Sequence, residues 1–465
     1  MALIKSISGF RGTIGGKAGD NLTPQDIVEC TAAYGSWLLK NGKSPKVVLG
    51  RDARISGELV SKLVCSTLQC LGIHIVDLGL STTPTVEMAV PMEAAGGGII
   101  LTASHNPKQW NALKLLNEKG EFISAQDGKD LLDLVEKGDI DYATVDKLGT
   151  YEYKDQYIQK HIDEIFKLPL VKKEAIKERG FKVVVDAINS TGAISIVPLL
   201  EQLGCEVVLI NGEMTGNFAH NPEPLLENLR ELCSSIESNR ADFGIAVDPD
   251  VDRLCFVSED GELFGEEYTL VAIADYVLQN TKGPTVSNLS STQALREVTE
   301  KHGCTYQASA VGEVNVVHKM KEIGAVIGGE GNGGVIYPAL HYGRDALVGV
   351  ALMLSYLTEY KRPLSFLRKT YPAYHISKNK IQLTPEINLN HLLKHLEEKY
   401  QNEKTNTIDG LKIEFESDWI HLRKSNTEPI IRIYTESTSQ VIAENLAHKI
   451  KADVNEILKE MVKTV

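Results

Sequence analysis

The chain has 465 residues, with 49 Lys and Arg against 62 Asp and Glu, for a formal net charge of −13. At about 150 residues per domain this length implies about three domains, and 43% hydrophobic with 24% charged residues is an ordinary globular balance. The acidity excludes a broad basic footprint for nucleic acid, so any anionic ligand must be gripped by local Arg clusters. The longest apolar runs fall far short of the ~20 residues of a membrane helix.

The N-terminus, Met1-Ala2-Leu3-Ile4-Lys5, has no cationic start followed by an apolar block, so no signal peptide is expected. The seven cysteines are odd in number and none are spaced C-x-x-C. They read as small buried thiols in a reducing, cytoplasmic compartment.

Apolar strands then alternate with amphipathic helices. Lys46 to Gly50 reads as a strand, Ser56 to Leu71 as a helix stopped by Gly72, His74 to Leu78 as a strand, and Gly97 to Thr102 as another. The pattern restarts with strand Phe181 to Asp186, helix Ala193 to Leu203 and strand Cys205 to Ile210. Asp260-Gly261, between Leu254 to Val257 and Glu262 to Phe264, signals a hairpin and hence mixed sheets. A third restart runs through strand Thr285 to Leu289 and helix Thr292 to Lys301. The last ~100 residues differ, with short strands Lys412 to Glu416, Trp419 to Leu422 and Ile430 to Tyr434, and a helix from Gln440 to about Met461. The fold expected is α/β: three similar mixed-sheet domains plus a small C-terminal α+β domain. Polar residues near 147–154 and the segment Glu359 to Pro363 mark boundaries. The domains expected are 1–150, 151–254, 255–365 and 366–465.

Four segments carry chemistry. Thr102-Ala103-Ser104-His105-Asn106-Pro107 follows a buried run, which puts Ser104 at the carboxyl end of a strand, where open α/β sheets bind ligands. A serine there can be a nucleophile or phosphate carrier; an Asn-Pro turn with a capping serine is the alternative. Asp248, Asp250 and Asp252 stand at i, i+2 and i+4 on a loop after Ile245-Ala246-Val247. Such oxygen ligands suit Mg²⁺ or Ca²⁺. An EF-hand is ruled out, because Arg253 stands where its loop needs Gly. Gly328 to Gly334 frames Glu330 and Asn332 with five glycines, which let a ligand come close to the backbone. The carboxylate and amide would read vicinal sugar hydroxyls. Finally Arg423, Ser425, Asn426 and Thr427, with Arg432 beyond, form a phosphate clamp.

TASHNP, DPDVDR, GEGNGG and RKSNTEP, together with Gly9 to Gly12, Gly50 to Arg54 and Asn217 to Leu229, resemble the α-D-phosphohexomutase family over nearly the whole chain. The resemblance implies four domains around a central cleft. It also implies transfer of a phosphoryl group between the C6 and C1 oxygens of a hexose phosphate, through phosphorylated Ser104 and a 1,6-bisphosphate intermediate. Asp248, Asp250 and Asp252 would hold one Mg²⁺ together with Ser104. Arg11, His105 and Lys114 would make up the catalytic set, with Lys114 as a base freed of its proton by burial or nearby cations. Arg253, Glu330, Asn332, Arg423, Ser425, Asn426, Thr427 and Arg432 would bind substrate. Gly334 stands where some members carry His, and His341 is a candidate substitute.

GEGNGG, Val311-Gly312-Glu313 and SNTEP most resemble the phosphoglucosamine mutase branch. It interconverts glucosamine 6-phosphate and glucosamine 1-phosphate, feeding UDP-N-acetylglucosamine synthesis. Glu313 would pair with the 2-ammonium. The alternative is a phosphomannomutase/phosphoglucomutase of the same mechanism. The expected partner is a small phosphosugar, with a hexose 1,6-bisphosphate as activator, no nucleic acid, no membrane, and a monomeric or homodimeric chain.

Overall fold

In the computed structural model, residues 3–6, 9–382, 389–425 and 430–463 are described. The runs KVVLGR, HIVDLGL and GGIIL form strands Lys46–Arg51, His74–Leu80 and Gly97–Leu101, apolar without strict alternation. Strands covered by helices on both faces require that pattern. The covering helices are Gly57–Cys70 and Thr83–Met92, the latter capped by the Thr82 side chain on the Thr85 amide. Lys46–Arg51 pairs parallel with both His74–Leu80 and Gly97–Leu101, and Trp110–Leu116 returns antiparallel to Gly97–Leu101. Ile4–Ser6, Gly9–Thr13 and Tyr151–Tyr153 extend this sheet to seven strands.

The same four-strand plan recurs twice. Lys182–Asp186 lies parallel to Glu206–Ile210 and Phe243–Val247, and Leu254–Ser258 returns antiparallel. Thr285–Asn288 lies parallel to Tyr306–Ser309 and Ile327–Glu330, and Gly334–Ile336 returns antiparallel. In each unit the turn into the antiparallel strand leaves the carboxyl edge of the parallel sheet. These turns are residues 102–109, 248–253 and 331–333. The fourth sheet is wholly antiparallel, ordered His375–Gln382, Ile430–Ser437, Trp419–Lys424, Leu411–Glu414, Lys404–Asn406. Helices Leu389–Lys399 and Gln440–Lys463 pack on it around Leu396, Ile413, Ile433 and Ile450. Three α/β units and an α+β unit are thus the architecture the sequence implies.

Several boundaries move. Tyr151–Tyr153 pairs with His74–Leu80, so the first sheet passes residue 150. Leu254–Ser258 belongs to the second sheet, so that unit passes 254. The second and third units share one continuous core, from Ile162 through Tyr268 and Leu352 to Tyr371. Helix Ala346–Tyr360 is buried almost throughout and joins the two, as an all-round apolar helix must. Glu359 to Pro363 is no linker, because Leu364, Leu367 and Tyr371 return to that core. The expected hairpin at Asp260-Gly261 has one strand only, its second limb reduced to a bridge between Val257 and Leu263. Of the cysteines, Cys70 is exposed and Cys233 and Cys304 are partly so. Among the described residues no helix is long and apolar enough to cross a membrane.

Candidate active site

Ser104 has φ +48° and is buried. A non-glycine residue in that left-handed region costs roughly 1–2 kcal/mol, so its surroundings must fix it. Arg54 does so. Its Nη2 donates to the carbonyls of Ser104 and of Asn106 (2.7 Å), and its Nη1 to those of Pro107 (2.9 Å) and Trp110 (3.1 Å). Arg54 Nε donates to Asp52 Oδ2 at 2.9 Å, and Thr102 Oγ1 donates to the same oxygen at 2.6 Å. The Ser104 amide donates to Thr102 Oγ1 at 2.9 Å.

This geometry presents Ser104 Oγ to the second unit, where it donates to Asp248 Oδ2 at 2.6 Å. The Asp248 turn folds on itself, with the amides of Asp252 and Arg253 donating to Asp248 Oδ1 at 3.2 and 3.1 Å. Val251 takes φ +60° at its apex. Asp248, Asp250 and Asp252 are all fully buried, and one oxygen from each lies within 4.8 Å of the others. Asp250 Oδ1 and Asp252 Oδ1 have no hydrogen-bond partner. Burial, then Asp252 and Asp250, push the Asp248 carboxyl well above the usual carboxylate range. A divalent cation would relieve both the orphaned oxygens and the repulsion. The all-oxygen donor set fits Mg²⁺.

Lys114 Nζ bonds Asp250 Oδ2 at 2.7 Å and Asp252 Oδ2 at 3.4 Å. Burial pulls this ammonium down, but the two carboxylates outweigh burial and the net shift is upward. Among these protein groups the nearest neighbours of Lys114 are thus anions and not cations. His105 Nδ1 lies 3.4 Å from Ser104 Oγ. Burial, then Arg253 and Arg11, hold that imidazole well below its ordinary value and so neutral. Arg11 Nη1 donates to Asn106 Oδ1 at 2.8 Å. Arg253 Nη1 lies 3.5 Å from Glu223 Oε1, while its buried Nε has no hydrogen-bond partner.

The third turn needs its glycines. Gly333 has φ +88°, and a Cβ there would stand 2.3 Å from the Leu254 carbonyl oxygen. A Cβ on Gly331 would meet Glu267 Oε2 at 1.8 Å. Glu330 Oε1 accepts from Asn288 Nδ2 (2.7 Å) and the Gly312 amide (3.0 Å), and Asn332 Oδ1 accepts from the Gly334 amide (3.2 Å).

Arg344 ties this turn to the aspartate loop. It donates to Glu330 Oε2 (3.1 Å), Asp252 Oδ2 (2.7 Å) and Glu313 Oε2 (3.0 Å). The Arg344 amide donates to Glu313 Oε1 at 3.1 Å, so each Glu313 oxygen accepts one bond from Arg344 while the side chain lines the cleft. His341 is not the substitute for the missing imidazole, since it bonds Asp345 and faces a different cavity.

From the fourth sheet, Arg423 and Arg432 are direct cross-strand partners. Like charges placed so are destabilising unless an anion lies between them. Arg423 Nε is buried with no hydrogen-bond partner. Ser425 is buried beside them, its amide on the Ile430 carbonyl at 3.0 Å; Asn426 and Thr427 lie outside the described residues. The fourth unit docks through Lys412 Nζ on the Leu289 carbonyl (2.8 Å) and His421 Nδ1 with Ser290 Oγ (2.8 Å).

Ser104, Lys114, Arg253, Glu330, Arg423 and Arg432 line one cleft of about 650 Å³. A slightly larger opening of about 720 Å³ beside Arg51 and Tyr151 holds none of these groups. Arg54, Arg344, Glu267 and Lys378 had no role assigned from sequence. Glu267 and Lys378 line the cleft, and burial pushes the Glu267 carboxyl up to about 8. The one local signal was Arg344 itself, a charge two residues before the apolar helix Ala346–Tyr360, which must find partners if buried.

Four family models match in succession. They are phosphoglucomutase/phosphomannomutase alpha/beta/alpha domain I (residues 4–141), domain II (156–261), domain III (265–374) and the C-terminal domain (385–453). A phosphoglucomutase/phosphomannomutase of Thermococcus kodakarensis is 34% identical over 92% of this chain and 94% of its own. A phosphoglucosamine/phosphogalactosamine mutase of Sulfurisphaera tokodaii is 31% identical over 97% of this chain and 99% of its own. A crystal structure of a phosphoglucomutase/phosphomannomutase family protein from Burkholderia thailandensis superposes with a TM-score of 0.84 at 26% identity, covering 97% of each chain.

Proposed function

The chain belongs to the phosphoglucomutase/phosphomannomutase family, a family of phosphohexomutases, and from that premise we propose that it converts glucosamine 6-phosphate to glucosamine 1-phosphate through phospho-Ser104. The observation that carries the chemistry is Ser104 Oγ, 2.6 Å from Asp248 within a fully buried triad of aspartates. The amino-sugar preference rests on the relatives named for phosphoglucosamine, such as those of Sulfurisphaera tokodaii and Methanopyrus kandleri. It does not rest on Glu313.

Asp248, Asp250 and Asp252 would hold Mg²⁺, which supplies charge neutralisation at the transferring phosphoryl oxygens. The remaining work falls to this chain's side chains. Arg423 and Arg432 grip the phosphate that does not react, and Glu330 and Asn332 orient the ring. In transfer to the sugar, the Ser104 Oγ–P bond breaks as the bond from P to the sugar oxygen forms. One proton passes from the sugar hydroxyl to Ser104 Oγ. Lys114, held as an ammonium, neutralises charge. Neutral His105 is the group placed to carry that proton at Oγ. After the bisphosphate turns over, the reverse transfer restores phospho-Ser104, and product carries the other phosphate.

Phosphorus NMR with Mg²⁺ and a trace of hexose 1,6-bisphosphate tests this. The 1-phosphate signal should grow fastest from glucosamine 6-phosphate. Faster growth from mannose 6-phosphate or glucose 6-phosphate moves the assignment to phosphomannomutase/phosphoglucomutase. Intact mass should show a species ~80 Da heavier, lost in Ser104→Ala; no 1-phosphate from any substrate would overturn the mutase reading.

A further inference from the structure

Where the first three units meet behind the cleft, two imidazoles converge on one carboxylate oxygen. His161, on helix Tyr157–Phe166, brings Nε2 to 2.9 Å from Asp345 Oδ2. His341, after strand Gly334–Ile336, brings its Nε2 to 3.2 Å from the same oxygen. One ligating atom from each lies within 4.8 Å of the others. Asp345 Oδ1 is already engaged, capping helix Ala346–Tyr360 on the amides of Leu347 (2.8 Å) and Val348 (3.2 Å).

The far ring nitrogens are held from outside. His161 Nδ1 lies 3.0 Å from Thr85 Oγ1, and His341 Nδ1 lies 3.4 Å from Glu87 Oε2. An outer oxygen that fixes ring and tautomer, as Thr85 Oγ1 does for His161, is the usual accompaniment of metal-bound histidine. Glu87 is 2% exposed, and neither of its oxygens has a hydrogen-bond partner. A buried carboxyl left so either stays neutral or takes a cation nearby. Glu87 and His341 also line a cavity of about 620 Å³, which offers an ion a route in.

We propose that His161, His341 and Asp345 form a second metal site, backed by Glu87, that takes a borderline ion of the Zn²⁺ class. Two imidazoles and one carboxylate favour such an ion over Mg²⁺, and three protein ligands leave a fourth position for water. The site is chemically distinct from the all-oxygen triad and independent of the sugar preference. It would fasten His161 of the second unit to His341 and Asp345 of the third, beside Thr85 and Glu87 of the first. Asp345 directly follows Arg344, the residue that bonds Asp252.

The test uses the full chain, stripped by chelation and then held in excess Mg²⁺ so that the aspartate triad is filled. Cobalt(II) is titrated and its visible ligand-field bands are followed. The expected result is one equivalent of Co²⁺ giving intense bands that Zn²⁺ displaces. The bands should persist in Asp250→Asn and be lost in His341→Asn. His341 is partly exposed, so that variant should fold, and circular dichroism checks it. Glu87→Gln supplies a milder variant, with affinity weakened roughly 10–100-fold. Absent bands in the wild-type chain would overturn the proposal. So would bands unchanged in all the variants, bands lost only in Asp250→Asn, or a thiolate charge-transfer band placing the ion on a cysteine.

Discussion

Arg54→Met asks whether Ser104 works because one guanidinium sets its turn. The substitution keeps side-chain length and leaves the carbonyls of Ser104, Asn106, Pro107 and Trp110 without their donor. It also takes the guanidinium from Asp52, which is fully buried and keeps only the Thr102 hydroxyl and the residue-54 amide as donors. Removing one partner of a buried pair costs about 3–5 kcal/mol, and a shift of ~1 Å at a reacting group costs roughly 100-fold in rate. We expect kcat to fall roughly 100-fold with KM little changed, since the Arg423 and Arg432 clamp is untouched. Unfolding of the first unit, followed by Trp37 and Trp110 fluorescence in denaturant, should weaken by about 3–5 kcal/mol. The double variant Asp52→Asn/Arg54→Met removes the stranded charge and should regain part of the stability but not the turnover. A wild-type unfolding midpoint in Arg54→Met, or full turnover in the double variant, would refute the reasoning.

Arg423→Ala should raise KM for every hexose phosphate roughly 10–100-fold, the loss of a charge-assisted phosphate contact of about 1.5–3 kcal/mol; an unchanged KM in steady-state kinetics would remove Arg423 from the clamp. Glu313→Gln should slow glucosamine and glucose phosphates alike, because Glu313 acts on Arg344; a changed ratio of the two rates would restore it as an ammonium partner. His220 Nε2 lies 2.9 Å from Asp186 Oδ2. Burial lowers this imidazole, but Asp186 outweighs burial and the net shift is upward. The stabilisation is therefore complete below the unfolded value of about 6.5 and is lost as pH rises through the higher folded value. His220→Gln should flatten the stability profile over that range, and denaturant midpoints with the same pH slope as wild type would contradict this. Chelation should abolish turnover, with Mg²⁺ restoring it in a phosphorus NMR assay.

The turns were legible because their signals are local. A glycine-led or β-branched run ending in polar residues gave Ser104, Asp248 and Glu330 at strand ends, where the structure has them. Arg54 and Arg344 were opaque for the opposite reason. Their partners stand 50 to 56 residues away at the Ser104 turn and 92 residues away at Asp252, and no spacing reports such pairings. The carboxylate neighbours of Lys114 were opaque on the same ground, since Asp250 is 136 residues distant. The shared core of the second and third units was hidden because helix Ala346–Tyr360 lacks the amphipathic stripe that marks a domain surface. The threefold plan left no residue-level repeat, and its equivalent turns span residues 102–109, 248–253 and 331–333.

That plan also separates the tasks a mutating lineage would need to vary. Ser104, the aspartate triad and the Glu330 turn occupy the same corner of three different sheets, each with its own turn. An edit at Asn332 alters the third turn while the pairing of Ser104 with Asp248 stays intact. Arg344 is the exception, bonding Glu330 of the third turn and Asp252 of the second, so a change at Glu330 is felt at the aspartates.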